Sequence, residues 1–137
     1  MNSVKRLCLI AFVVSSAAIY GQSQEMATAT RAVNNKLIGL SNIMGLTDCP
    51  VSEFAGKVKK VMQYADTLHF RLESKVHKGD EKIEESREVD IRLARVAPGD
   101  RSALVRQLVR KGLVLRVSGY TCGARDAITA FSVNRVY

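Results

Sequence analysis

The chain has no tryptophan, only two histidines and three cysteines in 137 residues, and aromatic side chains make up 6% of it. Each shortage removes a class of function. With His69 and His77 as the only imidazoles, and no cysteines at metal-ligand spacing, a zinc centre has too few ligands. Cys8 lies in an N-terminal apolar run, which leaves Cys49 and Cys122. In GYTCGARD, Cys122 has no histidine beside it to make a catalytic thiol. Scarce aromatics mean few platforms on which a base or sugar ring can stack, and only Tyr64 and Tyr120 stand where a binding face needs them. Beyond residue 20 there is no second apolar run long enough to hold the chain in a membrane.

At the N-terminus, Lys5 and Arg6 precede an apolar run from Leu7 to Tyr20 and then a polar segment. That is the layout of a secretory signal peptide, cleaved after Ala18 or after Gly21. The expectation is an exported chain, periplasmic or secreted, with no transmembrane anchor. Removing residues 1–21 leaves 116 residues, enough for one compact domain. It also takes away Lys5 and Arg6, so the formal net charge falls from +8 to +6. A domain this basic suits nucleic acid, acidic glycans or phospholipid head groups, and ordinary solubility accounts for the charge equally well. In an oxidising compartment Cys49 and Cys122 read as one disulfide. Its loop spans 73 positions, and such closure stabilises by roughly 4 kcal/mol.

Residues 22–47 place Met26, Val33, Leu37, Leu40 and Met44 along one side of a helix, with Gly45 as its stop. This amphipathic helix either packs on its own domain or offers a seam to a second copy. From Gly56 the period changes to two. GKVKKVMQ, DTLHFRLES and REVDIRLARV read as strands, with Leu68, Phe70, Leu72 and Val89, Ile91, Leu93 facing one way. SKVHKGDEKIEES, within the charged stretch 74–87, reads as an exposed hairpin loop. PGDRSALVRQLVRKG reads as a helix capped by Asp100 or Ser102, buried along Leu104, Val105, Leu108 and Val109, and ended by Gly112. LVLRVSGY and AITAFSVNRVY are two further strands. The expected fold is mainly β, a five-stranded OB-fold barrel of order β-β-β-α-β-β over residues 48–137, preceded by the helix.

Gly56-Lys57-Val58, Tyr64-Ala65-Asp66-Thr67 and Ile91-Arg92-Leu93 running to Val96-Ala97-Pro98-Gly99 resemble the strands and turns of the thermonuclease (staphylococcal-nuclease-like) family, whose members are OB-folds. That resemblance implies calcium held by aspartates, a glutamate acting on water, and two arginines on the phosphate. Asp66 matches one metal-binding aspartate, Arg92 one arginine, and Arg125 more loosely the other. The family's Asp-x-Pro-Glu element is Val96-Ala97-Pro98-Gly99 here, so an aspartate and the glutamate are missing, and Asp100 one residue on is the only nearby acid. Read without the family, Asp66-Thr67 is a turn, Asp100 a helix cap, and Arg92 a solvated partner of Asp90 or Glu88. Thr47-Asp48-Cys49, the same Gly-Lys-Val, and the stretch from Leu104 to Cys122 also resemble the cell-binding B subunits of Shiga-type AB5 toxins, which are pentameric OB-folds with one disulfide. Ala65 and His69 stand where that family builds its sugar site, and the 74–86 loop is longer.

These readings converge on an exported module that binds rather than catalyses. Its ligand is an anionic polymer or a carbohydrate, held by Lys57, Lys59, Lys60, Tyr64, His69, Arg71, Arg92 and Tyr120. The alternatives are a divergent nuclease or phosphodiesterase using Asp66, Arg92 and Arg125, and an oligomeric or assembly subunit joined through the helix or an edge strand. No cofactor is expected, with calcium entering only under the nuclease alternative.

Overall fold

The computed structural model describes residues 25–123 and 127–137. The signal-like segment and Arg125 lie outside them. Seven strands are present: β1 (Thr28–Arg31), β2 (Leu37–Ser41), β3 (Val51–Tyr64), β4 (Thr67–Lys78), β5 (Glu81–Arg92), β6 (Val114–Tyr120) and β7 (Ile128–Arg135). Between β5 and β6 run a short helix α1 (Pro98–Ala103) and one π-helical turn, Leu104–Leu108.

The barrel closes through β3, which carries two neighbours. Its first half, Val51 to Lys57, pairs with β6, and its second half, from Lys57 to Tyr64, pairs with β4. Where the partners change, a Cβ added to Gly56 would sit 2.7 Å from the Glu73 carbonyl oxygen, so only glycine lets the strand fold over there. From β4 the ladder continues antiparallel to β5, then parallel from β5 to β7 at Val89–Ile128, then antiparallel from β7 to β6. A five-stranded β-β-β-α-β-β barrel closed by a parallel pair of its third and fifth strands is an OB-fold. Val58, Leu68, Phe70, Leu72, Val89, Ile91, Leu115, Val117, Ile128 and Val133 fill it, with Leu104 and Leu108 closing the end beside the helix.

Residues 25–47 form no helix. They make the β1–β2 hairpin, which adds to β7 through Gly39–Asn134 and Leu40–Val133. The apparent helical stripe fails because Asn34-Asn35 is a turn. Asn35 adopts φ 66°, which asparagine tolerates, and its N–H bonds the Ala32 carbonyl at 2.9 Å. A seam of Met26, Val33 and Met44 does not exist, and Val33 is fully exposed. The hairpin is instead pinned to the helix. Arg31 pairs with Asp100 at 2.6 Å, and the Leu37 N–H donates to Gln107 Oε1 at 2.8 Å.

Asp100 therefore caps nothing. The residue before α1 is Ala97, and no side chain caps the helix. Val105 faces solvent, and the helix ends in the π turn at Leu108, four residues before Gly112. The 74–87 stretch is not a loop either, since β4 and β5 continue as a two-stranded arm to a Gly79-Asp80 turn. Its register sets Lys75 against Glu84, Val76 against Ile83 and Lys78 against Glu81, and Gly79 takes φ 65°.

Cys49 and Cys122 are joined, tying the entry to β3 to the exit of β6. Replacing both by serine is expected to lower unfolding stability by about 2–5 kcal/mol, read by urea denaturation. Gly119→Ala is expected to cost about 3 kcal/mol, because its Cβ would lie 2.2 Å from the Thr129 carbonyl oxygen.

Candidate functional site

The pleat sends Leu68, Phe70, Leu72, Val89 and Ile91 inward, so the residues between them face out. Register lines these up in rows across β3, β4 and β5: Tyr64–Thr67–Arg92, Met62–His69–Asp90, Lys59–Arg71–Glu88 and Lys57–Glu73–Ser86. A bulge between Lys59 and Met62 puts Lys60 and Val61 opposite Phe70 alone, and Lys60 takes φ 50°. The extra residue bends β3 and opens a groove of about 630 Å³. Lys60, Met62 and Tyr64 form one wall, His69, Arg71, Glu88 and Asp90 the floor, and Arg87 the other side.

The floor is a bonded cluster. His69 Nε2 lies 2.6 Å from Glu88 Oε2, and its Nδ1 lies 2.6 Å from Asp90 Oδ1. Arg71 Nε donates to the other Glu88 oxygen at 2.8 Å. An imidazole between two carboxylates serves both only as a double donor, the charged form. Burial, the largest single influence, pulls the His69 pKa down, but the hydrogen bonds and charges of Asp90 and Glu88 together raise it above its ordinary value. Burial likewise pushes Glu88 up, and Arg71 and His69 outweigh it, holding the carboxyl below its usual range. With His69 protonated the cluster of Arg71, His69, Glu88 and Asp90 is neutral, and without that proton it carries one net negative charge.

The rim differs. Lys57, Lys59, Lys60 and Arg92 enter no ion pair among the described residues, and all but the half-buried Lys59 are exposed. Arg87 rests over the Phe54 ring, 5.5 Å from its centroid. Tyr64 and Met62 are 56% and 44% exposed, the apolar surface available to a flat ring.

Several residues singled out from the sequence stand elsewhere. Tyr120 is 6% exposed and packs against Phe131 at 5.1 Å between centroids, so its ring is no open stacking platform. Arg92 is not paired with Glu88 or Asp90, because those acids are taken by His69 and Arg71. Asp66 sits in the two-residue turn between β3 and β4, beside a left-handed Ala65 (φ 44°), and its carbonyl accepts the Leu93 N–H at 2.7 Å. The fold thus brings Asp66 and Arg92 to one end of the barrel. It gathers no calcium site there: among the described residues no group of three or more His, Cys, Asp or Glu side chains is arranged to hold a metal ion, and calcium needs six or more oxygens. Met62 and Arg87 have no role in the sequence reading, and Glu88 and Asp90 enter it only as partners of Arg92. The alternation Glu88-Val89-Asp90 against His69-Phe70-Arg71 carried the signal, but only the register pairs the charges.

No protein-family model and no curated protein sequence matches the chain. Among solved structures it is similar to the mitochondrial single-stranded DNA binding protein Rim1 of S. cerevisiae. The TM-score is 0.46 at 12% identity, over 66% of this chain and 96% of that one. Among the described residues no helix is long and apolar enough to cross a membrane.

Because the His69 pKa is raised on folding, the stability it contributes is fully present below the unfolded value of 6.5 and is lost as pH rises through the folded one. His69→Gln is therefore expected to destabilise most near pH 6 and least near pH 9. Urea unfolding of both proteins across that range checks it; a gap that does not narrow with pH would remove the charged clamp.

Proposed function

We propose that the protein is an exported, non-catalytic binding module for an anionic polymer, with single-stranded nucleic acid as the leading ligand, held in the groove on β3, β4 and β5. One observation carries this reading. Lys57, Lys59 and Lys60 share the outer edge of β3 with the exposed Met62 and Tyr64. Charge that neutralises phosphates and surface that stacks on rings therefore follow one line, as a single strand requires. OB-folds use this face and the adjoining turns for oligonucleotides and oligosaccharides. Among the described residues, Asp66 has no second metal-binding acid beside it, Gly99 has no side chain, and Asp100 is held by Arg31, which favours binding over cleavage of a phosphodiester.

A carbohydrate is the second reading, favoured by Glu88 and Asp90 on the groove floor. Carboxylates accept hydrogen bonds from hydroxyls and repel phosphates. Under the first reading, a protonated His69 offsets that repulsion, so binding tightens as pH falls.

With a labelled oligothymidine at low salt, fluorescence anisotropy is expected to report binding that weakens steeply as salt is added, with or without calcium and with no cleavage on a gel. Tyr64→Ala should cost about 1–3 kcal/mol of binding, and Lys60→Ala should lower the salt slope by about one. Calcium-dependent cleavage abolished by Arg92→Ala would restore an enzyme. Absence of oligothymidine binding, with a neutral oligosaccharide bound instead, would move the groove to sugar recognition.

A further inference from the structure

The two arginines at the end of β5 face a different surroundings from the groove. Arg92 ends the strand in the row of Tyr64 and Thr67, and Arg95 follows on the turn that brings the Val96 N–H to the Leu93 carbonyl at 3.0 Å. Both line a cleft of about 340 Å³ whose other wall is the segment 43–47, with Ala94 between them. Among the described residues no carboxylate lines this cleft and neither arginine has an ion-pair partner. In the β3–β5 groove, by contrast, the central cations are already matched by Glu88 and Asp90. Glu25 lines an adjoining cleft that Met44, Gly45, Leu46 and Arg95 also border.

The cleft is held open by bonds of its own. The Ala27 N–H donates to the Arg95 carbonyl at 2.8 Å, and the Ile43 N–H to the Phe131 carbonyl at 3.2 Å. Thr47 Oγ1 accepts the Cys49 N–H at 2.9 Å, beside the disulfide. Gly45 makes room for the arginine, since a Cβ there would lie 3.3 Å from Arg95 Nη2. Two guanidinium forks on pinned backbone, facing a wall without acids, match the several oxygens of one phosphate group.

We propose that Arg92, Arg95 and the segment 43–47 form a phosphate-binding site separate from the β3–β5 groove. It takes a phosphate group, either free or carried by a nucleic-acid strand whose rings lie along the Tyr64 row. In the sequence Arg92 stands out as one residue of a basic binding face and as a match to a thermonuclease arginine, and Arg95 has no role; the pairing of the two across the turn is a property of the folded chain.

The test is an NMR titration of the oxidised protein with inorganic phosphate at low ionic strength, following the backbone amides of 43–47 and the arginine Nε–H groups. Saturable shifts confined to Gly45, Leu46, Thr47, Arg92 and Arg95 are expected. Arg95→Ala and Arg92→Ala should each weaken binding roughly tenfold. Arg110→Ala, which removes an exposed charge on the turn after the helix, should change it by less than about twofold. Shifts spread over Lys57–Lys60, or an equal loss in Arg110→Ala, would overturn the site as mere counterion attraction. A second arm compares oligothymidine with and without a 5′-phosphate. A preference for the phosphorylated end that Arg95→Ala abolishes assigns a terminal phosphate, and equal weakening of both assigns an internal one. Weakening for inorganic phosphate alone assigns a free anion. Should no oligonucleotide bind at all, the groove reading fails while the inorganic phosphate titration still decides this site.

Discussion

The turn of β3 at Gly56 is the constraint on which the barrel rests. A strand can serve two neighbours only if it bends, and a bent strand brings its own backbone against the sheet it has left. The absent side chain at Gly56 allows the approach to Glu73, and Gly119 does the same against Thr129 on the far side. With those contacts made, closure removes the two edges that β3 and β6 would otherwise expose, and the inward rows from β3 to β7 meet as one core. The disulfide acts on the same closure from outside, joining the entry to β3 with the exit of β6, and so also holds the end of the barrel where the segment 43–47 lies.

Charge is distributed unevenly over this scaffold, and the unevenness bears on ligand choice more than the net basicity does. On the groove floor every cation has an acid beside it, and the His69 clamp makes the local charge depend on one proton. Along β3 and at the end of β5 the cations stand without partners among the described residues. A polyanion is then attracted by the rim and by the Arg92–Arg95 cleft, while the floor sets orientation and tolerance of pH. The sign of this arrangement favours a ligand that is negative at its edges and less so at its centre, as a strand is with phosphates outside and rings inward.

Much of the architecture was legible in the residues. Leu68-His69-Phe70-Arg71-Leu72 and Val89-Asp90-Ile91-Arg92 announce half-buried strands, because alternation fits only one pleat. The arm at 74–87 was also written in the sequence, as opposite charges placed symmetrically about Gly79-Asp80, yet its polarity reads as a loop when core formation is the only criterion. At 22–47 a stripe at helical spacing competed with an Asn-Asn turn, and the turn prevailed because Leu37 and Leu40 could be buried against β7 and the helix end. Tyr120 shows the opposite failure: a tyrosine near the end of a strand looks available until Phe131 is found packed on it.

By itself the sequence determined the period of each barrel strand, the cysteine pair and the basic balance, since these follow from neighbours a few residues apart or from simple counting. Only the tertiary structure decided which charges cancel. His69 meets Glu88 and Asp90, Asp100 meets Arg31, and Arg92 and Arg95 meet no acid among the described residues, all through register and closure between segments as much as 69 residues apart. Electrostatic energy depends on distances of a few ångströms between such segments, and a linear pattern contains those distances only once the chain has closed on itself.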